Sequence, residues 1–498
     1  MNHQARTPEL GDLPDEELRR RLHEVADWIA DYRAGIESRR VVPEQTPGAI
    51  MSELPAAPPE HAQPLDDILR DFDRVVMPGI VHWGHPAFLG YFSTTTTAPG
   101  ILGEMLAAAL NVSAMTWQTS PAATELEVVV LDWIRQMLGL PAEFRGVVYD
   151  TASVAILHAL AAAREELGFD VRHEGLAGRA DVPALTLYAS DQAHSSLEKA
   201  AITLGVGEAN VRRIASGDDY RMDVGALRRA IEEDLRAGRR PLAVVATVGT
   251  TSATSVDPVE LIADVCREHG VWLHVDAAYG GALALLEEGR HVMRGVERAD
   301  SVAFNPHKWL FVPLDFSALY VRRAEALRRV FSLVPEYLRG DAERAGESVP
   351  NYMDYGIQLG RRFRALKAWF VIRAFGREGL AARIREARRL ARLVADWIDA
   401  DERFELLAPV EMGVVCFRAR PLPAPPRGGA DEGASNELNE QLLALVNATG
   451  ATYLTHTRLH GRLALRIAVG NVLTTERHLA RAWEVVRLQL GELAAPRE

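Results

Sequence analysis

From Ser120 to Val321, short apolar runs alternate with segments whose apolar residues recur every three or four positions, and this rhythm constrains the fold more than anything else in the chain. The apolar runs are Val147–Tyr149, Leu185–Tyr188, Leu242–Val248, Val271–Val275, Ser301–Phe304 and Ser317–Val321. Between them lie helical patterns. One stands behind Ser120-Pro121 and buries Leu126, Val129, Val130, Trp133, Ile134 and Met137; the next runs from Ala152 to Leu167. Others start near His194, span Asp223 to Leu235, and follow a cap at Asp257-Pro258 until Gly270 ends them. Strands that are apolar along their whole length are covered on both faces. The segment is expected to be α/β, a mostly parallel sheet with helices on both faces.

The flanks differ. Leu18, Leu22, Val25, Ile29 and Tyr32 mark a helix over 18–36, and prolines at 43, 47, 55, 58, 59 and 64 then punctuate an extended stretch. Such an arm has little to bury against itself and is expected to lie on another subunit of a homodimer. After Tyr355 the pattern gives helices over 358–375 and 380–398, a strand at Gly413–Phe417, a Pro/Gly-rich loop at 421–435, a helix over 436–446 and a final strand–helix pair. The expected division is an arm to residue 97, a large domain over 98–375 and a small α+β domain over 376–498. A net charge of −12 speaks against nucleic acid as partner. The two cysteines, Cys266 and Cys416, are too few and too far apart for a disulfide framework or a cysteine zinc site. His82 and His85 have no accompanying carboxylate pair, so no metal is expected. No apolar run reaches the roughly 18 residues of a membrane helix, and the first residues hold no secretion signal, so a cytoplasmic protein is expected.

The segment richest in chemistry is Phe304-Asn305-Pro306-His307-Lys308-Trp309, just after a strand. A lysine among Val302, Phe304, Trp309, Leu310 and Phe311 is either a snorkelling surface residue or an amine kept nucleophilic by desolvation. Asp276, which ends the run Trp272–Asp276, lies 32 residues earlier. A carboxylate there is costly unless paired, and ligands of parallel sheets bind outside such strand ends. The two together suit pyridoxal phosphate, whose pyridine nitrogen needs an ionised Asp to stay protonated and whose aldehyde needs a lysine.

HVDAAYGG (274–281) followed by NPHKW (305–309) resembles the pyridoxal-phosphate-dependent group II amino-acid decarboxylases, the group that includes aromatic-L-amino-acid decarboxylase. The likeness continues through HPAFLGYF (85–92), SPAATELE (120–127), YASDQAHSS (188–196), ATVGTTS (246–252), PEYLR (335–339) and LGRRFRALKAW (359–369). It implies the three-layer sandwich of type I, aspartate-aminotransferase-like pyridoxal enzymes and a dimer with shared active sites. It implies α-decarboxylation, most naturally of aromatic amino acids, with aldehyde-forming or transaminating chemistry on the same scaffold as the alternative. A non-catalytic regulator would need a DNA-binding module that the proline-rich arm does not resemble. By resemblance, Lys308 holds the cofactor, Asp276 its ring nitrogen, and His194 stacks on the ring. Ala152, Ser153 and Asn305 take the phosphate; Thr247 lies near the 3′ oxygen, Ala278 under the ring, and His307 beside the lysine. Tyr91, Thr94, Met115, Trp117 and Gly360 line the substrate pocket, and Tyr337 reaches the neighbouring subunit's site as proton donor. Ser93, Ser113, Ala114 and the pair Asp150-Thr151 depart from the family pattern. Arg361 and Arg362 read as helix-surface or interface residues.

Overall fold

Seven strands make the central sheet: β1 (Arg145–Tyr149), β2 (Leu185–Ser190), β3 (Val211–Ile214), β4 (Arg240–Thr247), β5 (Trp272–Asp276), β6 (Ser301–Phe304) and β7 (Ser317–Val321). Their order is β1-β7-β6-β5-β4-β2-β3. β2 to β6 run parallel, while β7 is antiparallel to both β6 and β1. Every residue of β2, β6 and β7 is buried, as their unbroken apolar character requires. The helix Ala152–Glu165 lies across β4 to β7, the helix Val224–Arg236 lies against β3 and β4, and the helix Val259–His269 against β4 and β5. This computed structural model describes residues 12–92, 96–333, 350–421 and 432–494.

Several expectations are corrected. β3 was not anticipated, because Arg212 and Arg213 give this edge strand a polar pattern. The helix Pro121–Leu138 buries Val130, Leu131, Ile134 and Met137 but leaves Val129 exposed, and it turns Glu127 inward. The helix near His194 begins at Ser196. Residues 358–364 are not helical; the helix starts at Ala365 and continues to Asp399, broken only at Gly376, whose positive φ of 62° suits a residue without Cβ. In place of one terminal strand there is a hairpin, β10 (Thr455–Leu459) and β11 (Arg462–Ala468), which joins β9 (Val414–Ala419) and β8 (Phe404–Leu406) in a four-stranded antiparallel sheet.

The chain divides into two units, residues up to His85 and residues from Pro86 onward. The first centres on the helix Asp15–Ala34, where Trp28 stacks on Tyr32 and meets Phe72 edge-on, and the Tyr32 hydroxyl lies 3.0 Å from His82 Nδ1. On the same helix Leu18, Leu22 and Val25 stay exposed. Among the described residues no helix is long and apolar enough to cross a membrane.

Candidate active site

The C-terminal ends of β4, β5 and β6 lie side by side, with Thr247 paired to Asp276 and Asp276 to Ala303. Lys308 follows on the single turn Pro306–Trp309, and its N–H donates to Asn305 O at 2.9 Å. Burial pulls the Lys308 amine below the usual lysine pKa, and the Asp276 carboxylate opposes that shift. The deprotonated, nucleophilic amine is thus easier to reach. Lys308 Nζ stands 4.8 Å from the centre of the Phe92 ring. Phe92 in turn stacks on Tyr279 at 4.0 Å, and Tyr279 on Trp309 at 4.6 Å, so an aromatic column fixes one side of the lysine. Neither Phe92 nor this column was singled out by the sequence, although Tyr279 stands three residues beyond Asp276.

Asp276 Oδ1 accepts the Ala278 N–H at 3.0 Å, and Ala278 O accepts the Asn305 N–H at 3.2 Å, so three residues expected around the cofactor are tied together. Asn305 Oδ1 accepts the Ser317 hydroxyl at 2.6 Å, which leaves the amide's NH2 end for a ligand. Thr247 is held by its N–H, which donates to Asp257 Oδ2 at 2.8 Å, while its buried Oγ1 has no partner among the described residues. Asp257 was expected to cap a helix. Instead it accepts from both Thr247 and Met222 N–H groups, and burial raises its pKa to about 6.

His194 is exposed, yet the protein around its ring excludes enough water to lower its pKa; Asp276 opposes this shift and Lys308 adds to it. Its Nδ1 accepts the Ser196 N–H at 3.1 Å, which places the proton of the neutral ring on Nε2. His307 is buried, with Nδ1 accepting the Phe316 N–H at 3.0 Å, and burial together with Lys308 drives its pKa down to about 3. It braces the lysine turn against the start of β7. Ala152 and Ser153 open the helix Ala152–Glu165, whose first N–H groups have no intrahelical acceptor.

Met115, Trp117 and Gly360 form a second cluster. Met115 O accepts from Met353 N–H at 3.0 Å, Trp117 N–H donates to Asn351 Oδ1 at 2.9 Å, and Ala114 N–H donates to Arg361 O at 2.8 Å. A Cβ added to Gly360 would come no nearer to another residue than 3.9 Å, at Ser113 Oγ. Arg361 is not a surface residue: it is 7% exposed and paired with the 2% exposed Glu127 at 2.7 Å. Arg362 is exposed and pairs with Glu104, on extended backbone rather than on a helix. Tyr91, half exposed, has its hydroxyl 3.3 Å from that of Tyr453. Thr94 and Tyr337 lie outside the described residues.

A buried lysine amine, a carboxylate at the neighbouring strand end, and a buried hydroxyl and a helix N-terminus without side-chain partners among the described residues are a donor and acceptor set that fits pyridoxal phosphate. Residues 47–420 match the model of the pyridoxal-dependent decarboxylase conserved domain. The chain is 40% identical to tryptophan decarboxylase 1 of Oryza sativa subsp. japonica over 97% of its own length and 95% of that protein's. It is also 40% identical to a phenylacetaldehyde synthase of a Rosa hybrid cultivar, over 95% of this chain and 94% of the relative. A crystal structure of Oryza sativa TDC with PLP and tryptamine superposes with a TM-score of 0.92 at 40% identity, covering 97% of this chain and all of that one. The chain belongs to the pyridoxal-dependent decarboxylase family and has the three-layer α/β fold of type I pyridoxal enzymes.

Proposed function

We propose that this pyridoxal-phosphate enzyme removes the α-carboxylate of aromatic L-amino acids, giving the amine and CO2. The observation that carries the substrate class is that Arg361 and Arg364 are already paired with carboxylates, while Gly360 adds no side chain beside Ser113. Arg361 is taken by Glu127, Arg364 by Asp150 and Asp315, and Arg466 by the carbonyls of Thr251 and Ser252. A second substrate carboxylate would find the charges of Arg361 and Arg364 already balanced. The names of the rice and rose relatives support the aromatic class.

When bound, the cofactor supplies an electron sink for the bond that breaks at the substrate Cα. Lys308 would present its amine to the cofactor's aldehyde, Asp276 would hold a proton at the ring nitrogen, and Thr247 Oγ1 would offer a hydrogen bond to the ring oxygen. Ala278 leaves space beneath the ring. Ala152, Ser153 and the Asn305 amide receive the phosphate, and His307 holds the lysine turn in place. His194, protonated on Nε2, would cover the ring face and donate to the substrate carboxylate, orienting it for loss. Tyr91, Met115 and Trp117 would border the side-chain pocket, and Tyr337 would deliver the proton to Cα. We place these groups in a cytoplasmic homodimer with shared sites, divided at about residues 97 and 375. The exposed stripes Leu18, Leu22, Val25 and Leu102, Leu106, Leu110 are apolar surface that a second copy would cover.

The rose relative keeps aldehyde formation as the second reading. Incubation with each natural amino acid, with amine, CO2, aldehyde and peroxide measured together, decides. Amine and CO2 in equal amounts from tryptophan, tyrosine or phenylalanine are expected. Peroxide and aldehyde in proportion to CO2 would overturn the decarboxylase reading, and turnover of glutamate alone would overturn the aromatic one.

A further inference from the structure

The helix Ala152–Glu165 begins without a side-chain cap, although Asp150 stands two residues before it. The N-cap is Thr151, and a carboxylate one residue further out is still drawn toward the positive end of the helix dipole. Here both of its oxygens are drawn elsewhere. Arg364 donates to Oδ1, and the Gln358 amide donates to Oδ2 at 3.1 Å. Arg364 is 7% exposed and is itself anchored by Asp315 at 3.1 Å.

We propose that Arg364, with Gln358, is a positioning residue that holds the Asp150 carboxylate away from the N-terminus of this helix, and that this diversion sets the site's preference for a phosphorylated cofactor. The inference rests on the reading that the phosphate seats at Ala152 and Ser153. A carboxylate released beside that seat would compete with the phosphate for the same N–H groups and repel its negative charge. A cofactor form lacking the phosphate would feel neither effect.

The test compares the affinities of the full-length, cofactor-free chain for pyridoxal phosphate and for pyridoxal, read by absorbance and by quenching of tryptophan fluorescence. Arg364→Met is expected to weaken pyridoxal phosphate by about ten- to hundredfold, with pyridoxal unchanged within about threefold. Adding Asp150→Asn to Arg364→Met is expected to restore the preference. Parallel loss of both ligands, or no restoration by Asp150→Asn, would overturn the proposal. Should Arg364→Met fail to fold, Gln358→Leu is expected to lower the same preference by about threefold, reversibly by Asp150→Asn, and an unchanged preference counts against the proposal. Ser153→Asp separates the two readings. If it spares pyridoxal phosphate, the phosphate seat is misplaced; if it cuts pyridoxal phosphate selectively while Arg364→Met does not, the seat stands and the role of Arg364 falls.

Discussion

Glu127 and Arg361 form a buried pair whose removal is expected to cost more than any single hydrogen bond. Glu127 Oε1 accepts from the Arg361 guanidinium at 2.7 Å and from Val148 N–H at 3.1 Å, and Oε2 accepts from Arg361 at 3.1 Å. Arg361 also donates to Val148 O at 2.9 Å and to Ala114 O at 3.1 Å. β1 is an edge strand, and the pair offers its outer side one acceptor and one donor, as another strand would. Glu127→Gln keeps the shape and an acceptor for Val148 but leaves the guanidinium buried without a counter-charge. Breaking one side of such a pair costs about 3–5 kcal/mol. Arg361→Met is expected to cost a similar amount by stranding the carboxylate. The double variant should cost at least about 2 kcal/mol less than the sum, because no lone charge remains. Reversible urea unfolding followed by circular dichroism measures this, with the dependence on urea required to match between variants. Additive losses, or a Glu127→Gln loss under about 1 kcal/mol, would refute the argument.

Lys308→Ala is expected to abolish turnover and the visible absorbance of the bound cofactor while the far-ultraviolet circular dichroism stays unchanged; activity at the parent rate would remove Lys308 from the site. Because the protein around its ring excludes water and lowers the His194 pKa, the acidic limb of kcat/KM should lie below the ordinary histidine value, and a limb centred above about 6.5 would contradict this. Tyr337→Phe should keep substrate affinity but divert product toward aldehyde, ammonia and peroxide under air; an unchanged amine yield at an unchanged rate would exclude Tyr337 as proton donor. The Asp257 pKa is raised to about 6 in the folded protein, so folding favours its protonated form, and that advantage is lost as pH rises from the unfolded value near 3.8 through 6. The stability of the parent relative to Asp257→Asn should therefore fall by roughly 3 kcal/mol across that window, and a difference independent of pH in urea unfolding would show that the carboxyl titrates normally.

What could be read in advance was decided by local pattern. β4 to β7 are largely apolar, Asp276 ends one strand and Lys308 follows another, so sheet, strand ends and chemistry were all legible together. β3 was not, because an edge strand needs only one covered face and can carry Arg212 and Arg213. Residues 358–364 have a helical spacing, but Arg361 and Arg364 find their partners at Glu127, Asp150 and Asp315, more than forty positions away, and no periodicity reports such contacts. Asp257-Pro258 was misread for the opposite reason. The pair is a sound local helix start, yet its carboxylate is used to fasten Thr247 to its place beside Asp276. Glu127 did leave a signal. It stands on the stripe formed by Ala123, Val130 and Ile134, and a carboxylate on the buried face of a helix demands a cation. Such a residue is the readable half of a buried pair; which of Arg361 and Arg362 completes it is settled only when the extended backbone before Ala365 turns one inward and the other to solvent.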